Sequence, residues 1–307
     1  MKTEETYTST LHTHVHFVTY EPEIVLRIKA VVVVLHDTGE NMEMYDHFAL
    51  FLQNKGYVVV VSEIAGHGHS LIDFEQGHFG TENVLNSLIT DIHRLQEMIL
   101  ERFPDGPFYF VGAGLGGQLV RYYGSVYSDY FSGMMLLSTA CQATHLLLNE
   151  RHLNVLKMMR GGLYHPSKYI RTVREKLSNK IGEHYLSWLI HNTDKQAELD
   201  EDTLSYFTYT VQGYLDLMKI YRRVNEKDVY RQTPAYLSIA LLGGEEDPII
   251  AKGKDLHKIA HNYRSVGCND VMVKLYPNSR HAILFDDERH DVYDDIARWL
   301  DEHTYLI

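Results

Sequence analysis

Long apolar runs and cysteines are scarce in this chain of 307 residues. No stretch approaches the roughly 18 apolar residues of a membrane-spanning helix, so the sequence predicts no transmembrane segment. The two cysteines, Cys141 and Cys268, are too few for a disulfide framework and form no C-x-x-C pair. We expect both to be reduced and structural. Residues 1–5 lack the apolar core of a signal peptide, which predicts a cytoplasmic protein.

Basic residues are outnumbered: 29 Lys and Arg stand against 41 Asp and Glu, for a formal charge of −12. A surface of this sign repels the phosphate backbone of nucleic acids, so we expect no nucleic-acid partner. One local basic group could favour an anionic headgroup, but we interpret it as a solvated helix face. It comprises Arg160, Lys168, Arg171, Arg174 and Lys176.

The apolar residues that are present alternate between strand and helix patterns. Val31 to Leu35 and Tyr57 to Val61 are continuous apolar runs, typical of strands covered on both faces. Helical spacing separates such runs, which predicts a mostly parallel, doubly wound α/β sheet. Ahead of it, residues 11–20 and 24–29 read as an opening antiparallel hairpin. Thr81 is the predicted N-cap of a helix running to about Arg102.

The strand signal disappears between about Cys141 and Arg231 and then returns. This pattern predicts an inserted helical cap at 141–231, between two parts of one α/β core at 1–140 and 232–307. The second part is predicted to contain strands at Ala235 to Leu242 and Val271 to Tyr276, with a closing helix around Val292 to His303.

A glycine-rich turn, Gly112-Ala113-Gly114-Leu115-Gly116-Gly117, follows an apolar strand and opens a helix. Read through Gly112, Gly114 and Gly117, it matches the G-x-G-x-x-G dinucleotide fingerprint. The turn lies late in the chain, however, and no acid follows the next strand to bind a ribose. Read instead as G-x-S-x-G, it is a nucleophile elbow in which glycine, Gly114, stands where serine is expected.

Four further sequence motifs occur in the same order as the motifs of a known family. They are Leu35-His36-Asp37-Thr38-Gly39-Glu40, Gly66-His67-Gly68-His69-Ser70, Leu242-Gly243-Gly244-Glu245-Glu246-Asp247-Pro248 and Tyr276-Pro277-Asn278-Ser279-Arg280-His281. With the elbow, they resemble the lysophospholipase and monoacylglycerol-lipase branch of the α/β-hydrolases, of the serine aminopeptidase S33 type, over nearly the whole chain. The resemblance implies an α/β-hydrolase fold, carboxylic ester substrates and no cofactor.

The resemblance also implies the site residues. Gly114 takes the nucleophile position, Asp247 that of the acid and His281 that of the base. The backbone N–H groups of Thr38 and Leu115 take the place of the oxyanion hole. In such a site the imidazole activates a hydroxyl, the carboxylate orients the imidazole, and the paired N–H groups stabilise the tetrahedral oxyanion. Without the serine hydroxyl, no acyl-enzyme can form at residue 114.

Other departures from the family pattern accompany Gly114. Ala113 stands where histidine is usual, Asp37 where glycine is usual, and Ala282 where glutamate is usual. Such clustering favours natural loss or alteration of the chemistry over a single engineered change. We expect slow hydrolysis at most, by a water that takes the place of the serine oxygen and is deprotonated by His281.

Other candidate site residues are interpreted as structural. Ser138, Ser70 and Ser125 are the nearest substitute nucleophiles in sequence, but none lies at an elbow. His12, His14 and His16 alternate on a predicted strand, where a solvated hairpin face explains them without a metal. The Asp247–His281 pair could itself be retained for packing alone.

The predicted cap supplies candidate substrate-binding residues: Tyr206, Phe207, Tyr209 and Tyr214. The leading hypothesis is therefore a cytoplasmic α/β-hydrolase with incomplete covalent machinery, acting on a lipid-like or small ester. A second hypothesis is a non-catalytic protein that binds such a ligand, and a remote third is a dinucleotide-dependent oxidoreductase. The sequence leaves a homo-oligomer open.

Overall fold

Eight strands form one sheet in the order β1-β2-β4-β3-β5-β6-β7-β8. The computed structural model describes residues 1–23, 28–80, 83–141, 149–178, 181–182 and 184–304. The strands are β1 (Lys2–Thr8), β2 (His14–Tyr20), β3 (Val31–Leu35), β4 (Val58–Ser62), β5 (Phe108–Ala113), β6 (Gly133–Leu137), β7 (Ser238–Gly244) and β8 (Val271–Tyr276). Strands β3 to β8 pair in parallel, while β2 is antiparallel to β1 and β4. The predicted mostly parallel α/β sheet with an antiparallel N-terminal hairpin is confirmed.

Helices connect the parallel strands and cover both faces of the sheet. They are α1 (Asp46–Asn54), α2 (Val84–Arg102), α3 (Gly114–Val126), α4 (Glu150–Arg160), α5 (Ser167–Ser178), α6 (Thr193–Glu201), α7 (Val211–Val224), α8 (Lys227–Gln232), α9 (Lys254–Ser265) and α10 (Arg289–Thr304). Among the residues described, no helix is both long and apolar enough to cross a membrane. Helices α4 to α8 lie between β6 and β7, where the sequence predicts an inserted cap.

The valine-rich strands are buried on both faces because the sheet separates two cores. In β3, Val31 and Val33 pack into one apolar cluster, while Val32 and Val34 pack into the other. Since successive side chains point to opposite faces of a strand, a strand between two cores needs apolar residues at every position. This requirement explains the unbroken apolar runs in the sequence.

The hairpin is formed by a different pair of strands from the pair predicted. Lys2–Thr8 is the partner of His14–Tyr20, whereas the sequence indicated residues 24–29. Of that stretch, residues 28 and 29 are not in a strand, and residues 24–27 lie outside the described part of the chain, as does Thr81. Burial along β1 alternates, with Glu4 exposed. Charge on a sheet edge discourages further pairing, and it also hides the strand from a search for apolar runs.

Candidate active site

The residues singled out from sequence converge at the carboxyl edge of the parallel strands. Asp37 follows β3, Gly114 opens α3 directly after β5, Asp247 follows β7 and His281 follows β8. Ligands of open α/β sheets bind at this edge because the loops of several strands meet there. The sheet thus brings together four side-chain positions that span most of the chain.

The turn between β5 and α3 has the conformation of a strained elbow. Gly114 adopts a φ of +42°, in the left-handed region that side chains rarely occupy. A Cβ atom on Gly112 would lie 2.6 Å from main-chain atoms of Gly116, and one on Gly116 would collide with the main chain of Leu35. Both flanking glycines are therefore required for the close packing of the elbow.

The carboxylate of Asp37 occupies the place beside Gly114. A Cβ atom built on Gly114 would lie far closer than 3.0 Å to the carboxyl carbon and both carboxyl oxygens of Asp37. Side-chain atoms are never that close, so a serine at residue 114 and the present position of Asp37 exclude each other. The side chain that fills the space beside residue 114 therefore comes from the end of another strand.

Both predicted oxyanion donors bind this same carboxylate. The N–H of Leu115 and the N–H of Thr38 each donate to Oδ1 of Asp37 over 2.6 Å. Leu115 lies in the first turn of α3, where free N–H groups and the helix dipole favour a negative charge. The paired donors therefore contact an oxygen that belongs to the protein itself.

His281 lies between two carboxylates. Its Nδ1 is 2.8 Å from Oδ2 of Asp247, and its Nε2 is 2.9 Å from Oδ2 of Asp37. Asp247 is fully buried and also accepts from the N–H of Ile249 over 2.7 Å. The predicted acid and base are thus within hydrogen-bond distance, as orientation of an imidazole by a carboxylate requires.

These contacts set the charges of the site. Burial by itself would lower the pKa of His281, but the attraction of Asp247 and Asp37 outweighs it and raises that pKa to about 10. Burial would likewise raise the pKa of Asp37, yet its hydrogen bond to His281 holds the pKa below its usual value. At neutral pH the proton therefore stays on His281, beside an ionised Asp37.

A third acid lies behind Asp37. Oε2 of Glu40 accepts from the N–H of Asp37 over 2.9 Å and from the hydroxyl of Tyr45 over 2.5 Å. The hydroxyl of Tyr206 donates to Oε1 over 3.1 Å. Burial and the charge of Asp37 raise the pKa of Glu40 to about 7. Glu40 thus fixes the loop that carries Asp37 and joins it to a tyrosine from the predicted cap.

A mostly apolar cavity opens above Asp37 and His281. It contains about 650 Å³ of unoccupied space, including its mouth. Its walls come from the segment between β6 and β7 and include Ile170, Val173, Leu177, Trp188, Tyr206, Tyr209, Tyr214, Leu217 and Tyr221. Concave, apolar sites with a few polar groups at one end are typical of small-molecule binding. The polar end of this cavity is the Asp37–His281 pair.

Comparison with known proteins agrees with this geometry. The family described as "Serine aminopeptidase, S33" matches residues 27–288. The chain belongs to this family. It is also 24% identical over 295 residues to a monoacylglycerol lipase from Mycolicibacterium smegmatis, a match that covers 90% of this chain and 89% of that lipase. A monoglyceride lipase from Mus musculus is 27% identical over 135 residues, 44% of this chain and 41% of the mouse protein.

Several solved structures have the same fold as this chain, although their sequences are only distantly similar to it. A thermostable carboxyl esterase from Bacillus coagulans, solved with glycerol, superposes with a TM-score of 0.88 at 22% identity and covers 99% of both chains. A monoacylglycerol lipase from Paleococcus ferrophilus superposes with a TM-score of 0.72 at 18% identity, over 97% of this chain and 99% of that one. These likenesses show that the α/β-hydrolase fold extends over the whole chain.

Two expectations about the elbow of this S33 protein are wrong. A water was expected in the place of the serine oxygen, but the Asp37 carboxylate lies there and hydrogen-bonds to His281. The dinucleotide reading of Gly112, Gly114 and Gly117 also fails, because the same carboxylate lies at the start of α3, where a pyrophosphate would bind. Two like charges cannot share this position.

The three serines considered as substitute nucleophiles each donate a hydrogen bond to another group, and a structural role for them stays a prediction. Ser138 lines a small cavity with Gly114 and His281, but its hydroxyl donates to the main-chain oxygen of His281 over 2.5 Å. The hydroxyl of Ser70 donates to Glu63 and that of Ser125 to the main chain of Tyr122. None of these bonds reaches the carboxylate of Asp37 or the imidazole of His281.

Three of the four predicted substrate-binding residues, Tyr206, Tyr209 and Tyr214, line the cavity. Phe207 packs instead against the rings of His67 and Tyr209, with centroids 5.6 and 5.1 Å away. Their roles toward a substrate stay predictions. Arg174 also lines the cavity and donates to the main-chain oxygens of Tyr206 and Phe207, so it is more than part of a solvated helix face.

The histidines of the N-terminal hairpin do not share one strand. His14 and His16 lie on β2, whereas His12 lies in the preceding turn with a φ of +60°. Within the described ranges, no group of three His, Cys, Asp or Glu side chains is arranged to hold a metal ion. Cys141 and Cys268 are buried and unpaired.

Sequence reasoning noted Asp37 as a departure from the family pattern but did not place its side chain in the site. The sequence shows only that an acid stands where the family has glycine. Its neighbour His36 is held in the loop after β3, where Nε2 accepts the N–H of Ile64 over 2.9 Å. A signal was available, because the acid at Asp37 and the glycine at Gly114 both depart from the family pattern.

Proposed function

We propose that this S33 protein binds a lipid-like or small ester ligand and is impaired in, or without, ester hydrolysis by an acyl-enzyme route. One observation supports this proposal above all. The Asp37 carboxylate lies where a nucleophilic hydroxyl would lie, and it binds both N–H groups that would otherwise stabilise a substrate oxyanion. An ester carbonyl that enters the site meets neither a nucleophile of the serine type nor free oxyanion donors.

The cavity supports the binding half of the proposal. Its walls are aliphatic and aromatic, as an acyl or alkyl chain requires. Relatives named as monoacylglycerol and monoglyceride lipases suggest a single-chain glycerol lipid as the first ligand to test. The matches to the mouse and rat proteins cover only 41% of their lengths, so the substrate class rests on the cavity as much as on these names.

Binding and turnover can be measured separately. The chain has two tryptophans: Trp188 lines the cavity, and Trp299 lies in the core on the other face of the sheet. We expect octyl glyceryl ether, which cannot be hydrolysed as an ester, to change the fluorescence of the protein. The change should vanish in Trp188→Phe and persist in the matched Trp299→Phe control.

The same protein is then given monooctanoylglycerol, and glycerol release is followed. We expect release no faster than in buffer. Glycerol release that is lost in His281→Ala would contradict the impaired-hydrolase half of the proposal. If neither octyl glyceryl ether nor alkyl glyceryl ethers of other chain lengths changed the fluorescence, the binding half of the proposal would be contradicted.

A further inference from the structure

The charged side chains of the cavity differ in how their charges are balanced. The carboxylate of Asp37 already accepts three hydrogen bonds, one of them from His281. The imidazole of His281 in turn lies between two carboxylates. Arg174 lines the same cavity, but within the described part of the chain its hydrogen bonds go to main-chain oxygens and not to a carboxylate. The charge that remains to be balanced in this cavity is therefore positive.

Arg174 belongs to the face of α5 that forms one wall of the cavity. Ile170, Val173, Arg174 and Leu177 all line it, and residues three and four apart lie on one side of a helix. Burial raises the pKa of Tyr214, another lining residue, and the charge of Arg174 counteracts this rise. The guanidinium is thus a cation on an otherwise aliphatic wall, close enough to act on a tyrosine that lines the same space.

The guanidinium is accessible to a ligand and fixed in position. Arg174 is half-buried, whereas Val173 and Tyr214 beside it are buried. Its Nη1 donates to the main-chain oxygen of Tyr206 over 2.5 Å, and its Nη2 donates to that of Phe207 over 3.0 Å. A guanidinium has five N–H donors, more than these two bonds use. Because the group is already held in place, binding an anion costs it little further conformational entropy.

We propose that the cavity binds single-chain amphiphiles that end in a carboxylate in preference to neutral ones, and that Arg174 makes this selection. The planar fork of the guanidinium matches the two oxygens of a carboxylate, and the hydrocarbon chain packs against the aliphatic and aromatic walls. Complementary charge of this kind contributes mainly to specificity. The inference rests on the proposed function, since it names the ligand class of the same cavity.

This assignment separates Arg174 from the basic residues near it in the sequence. The exposed members of that group are Arg160, Lys168, Arg171 and Lys176, and none of them lines the cavity. A solvated helix face accounts for these four residues. It does not account for Arg174, whose side chain is directed at the apolar space that a ligand would enter.

The test compares two ligands that differ in charge at one end. Octanoate and octanamide have the same chain length and planar end groups of similar shape, but only octanoate is an anion. Isothermal titration calorimetry with the full-length protein at neutral pH gives both dissociation constants. We expect octanoate to bind about tenfold more tightly than octanamide, the value of one hydrogen bond to a charged group.

Variants then show whether Arg174 is the cause. Arg174→Met should lose the preference for octanoate, while Arg174→Lys, which keeps the charge, should retain a preference. The loss of the bonds to Tyr206 and Phe207 would change the wall and weaken both ligands alike, so the ratio of the two dissociation constants reports the charge. Arg171→Met is the matched control on the same helix, because the side chain of Arg171 is 71% exposed. Its preference should equal that of the unmodified chain.

The outcomes separate this proposal from the proposed function. Equal affinities of the unmodified chain for octanoate and octanamide, with octyl glyceryl ether still bound, would overturn this proposal alone. A preference for octanoate that persists in Arg174→Met, in protein whose circular dichroism shows it to be folded, would overturn the role of Arg174. Arg174→Gln, which can still donate to a main-chain oxygen, gives the same comparison if the methionine variant does not fold. Failure of all three ligands to bind would overturn this proposal together with the binding half of the proposed function.

Discussion

Asp37 determines the character of the site through three hydrogen bonds. Its two carboxyl oxygens bind the N–H groups of Thr38 and Leu115 and the ring of His281. The same residue would collide with any side chain at residue 114. The glycine at residue 114 and the present position of Asp37 are therefore structurally linked, even though the two residues lie at the ends of different strands.

The first prediction concerns the charge of His281. Because its pKa is raised from 6.5 to about 10 in the folded chain, the imidazolium stabilises the fold fully below about pH 6.5, and this stabilisation is lost as the pH rises toward 10. Replacing Asp37 by Asn removes one of the two charges that raise the pKa. We expect the free energy of unfolding to fall less in Asp37→Asn than in the unmodified protein between pH 8 and pH 10.

Urea unfolding at these two pH values measures the effect. The comparison begins at pH 8 because Glu40 has a pKa of about 7 and is largely ionised above that. Each pKa unit corresponds to about 1.4 kcal/mol, so the two proteins should differ by at least about 1 kcal/mol in this loss. Equal losses would show that Asp37 does not hold the proton on His281.

The second prediction concerns Tyr209, whose hydroxyl joins two loops of the site. It accepts the N–H of Gly39 over 3.0 Å and is bonded to Nε2 of His67. Tyr209→Phe leaves both groups buried without this partner, which costs about 1–3 kcal/mol. Tyr236→Phe is the control, since Tyr236 is 64% exposed. Thermal unfolding should show a lower Tm for Tyr209→Phe alone, and equal values would contradict the assignment.

At the scale of elements, one side chain ties the turn after β8 to the segment that covers the cavity. Nη1 of Arg280 donates to the main-chain oxygens of Ser187 and Ile190 over 2.6 and 3.1 Å. The N–H of Ala282 donates to the oxygen of Leu189 over 3.0 Å. Arg280 precedes His281 directly, so these bonds fix the base and the cavity wall relative to each other.

This contact gives the third prediction. Arg280→Met keeps the length of the side chain but removes both bonds. The oxygen of Ile190 keeps its bond from Gln196, whereas the buried oxygen of Ser187 loses the Arg280 donor, at a cost of about 1–3 kcal/mol. We expect faster amide hydrogen exchange around Trp188, with little change in α2. Arg298→Met is the matched control, because Arg298 is 64% exposed in its side chain. Unchanged exchange around Trp188 would show that Arg280 does not secure this segment.

The sequence predicted best those elements whose residue pattern follows from a single structural requirement. Strands between two cores need apolar residues throughout, so Val31–Leu35 was placed without error. The elbow was found because close packing admits only glycine at Gly112 and Gly116. Strand Lys2–Thr8 was missed because an edge strand buries few side chains, which leaves its sequence without an apolar run.

At the scale of the molecule, the parallel sheet brings motifs that are far apart in the sequence to a single site. Loops after β3, β5, β7 and β8 meet at one edge, so the family order of motifs was enough to predict that Gly114, Asp247 and His281 would come together. It was not enough to predict which atoms fill the space between them. That depends on how far the Asp37 side chain reaches from a neighbouring strand, and linear spacing carries no information about this distance.

The measurement that tests the central claim most directly is labelling by a serine-directed fluorophosphonate, with glycerol release from monooctanoylglycerol, in four proteins. They are the unmodified chain, Gly114→Ser, Asp37→Gly and the double variant. The collision between residue 114 and Asp37 predicts labelling and turnover in the double variant alone, and both should be lost when His281→Ala is added. Labelling and turnover of Gly114→Ser at the level of the double variant would contradict the claim that Asp37 occupies the nucleophile's place.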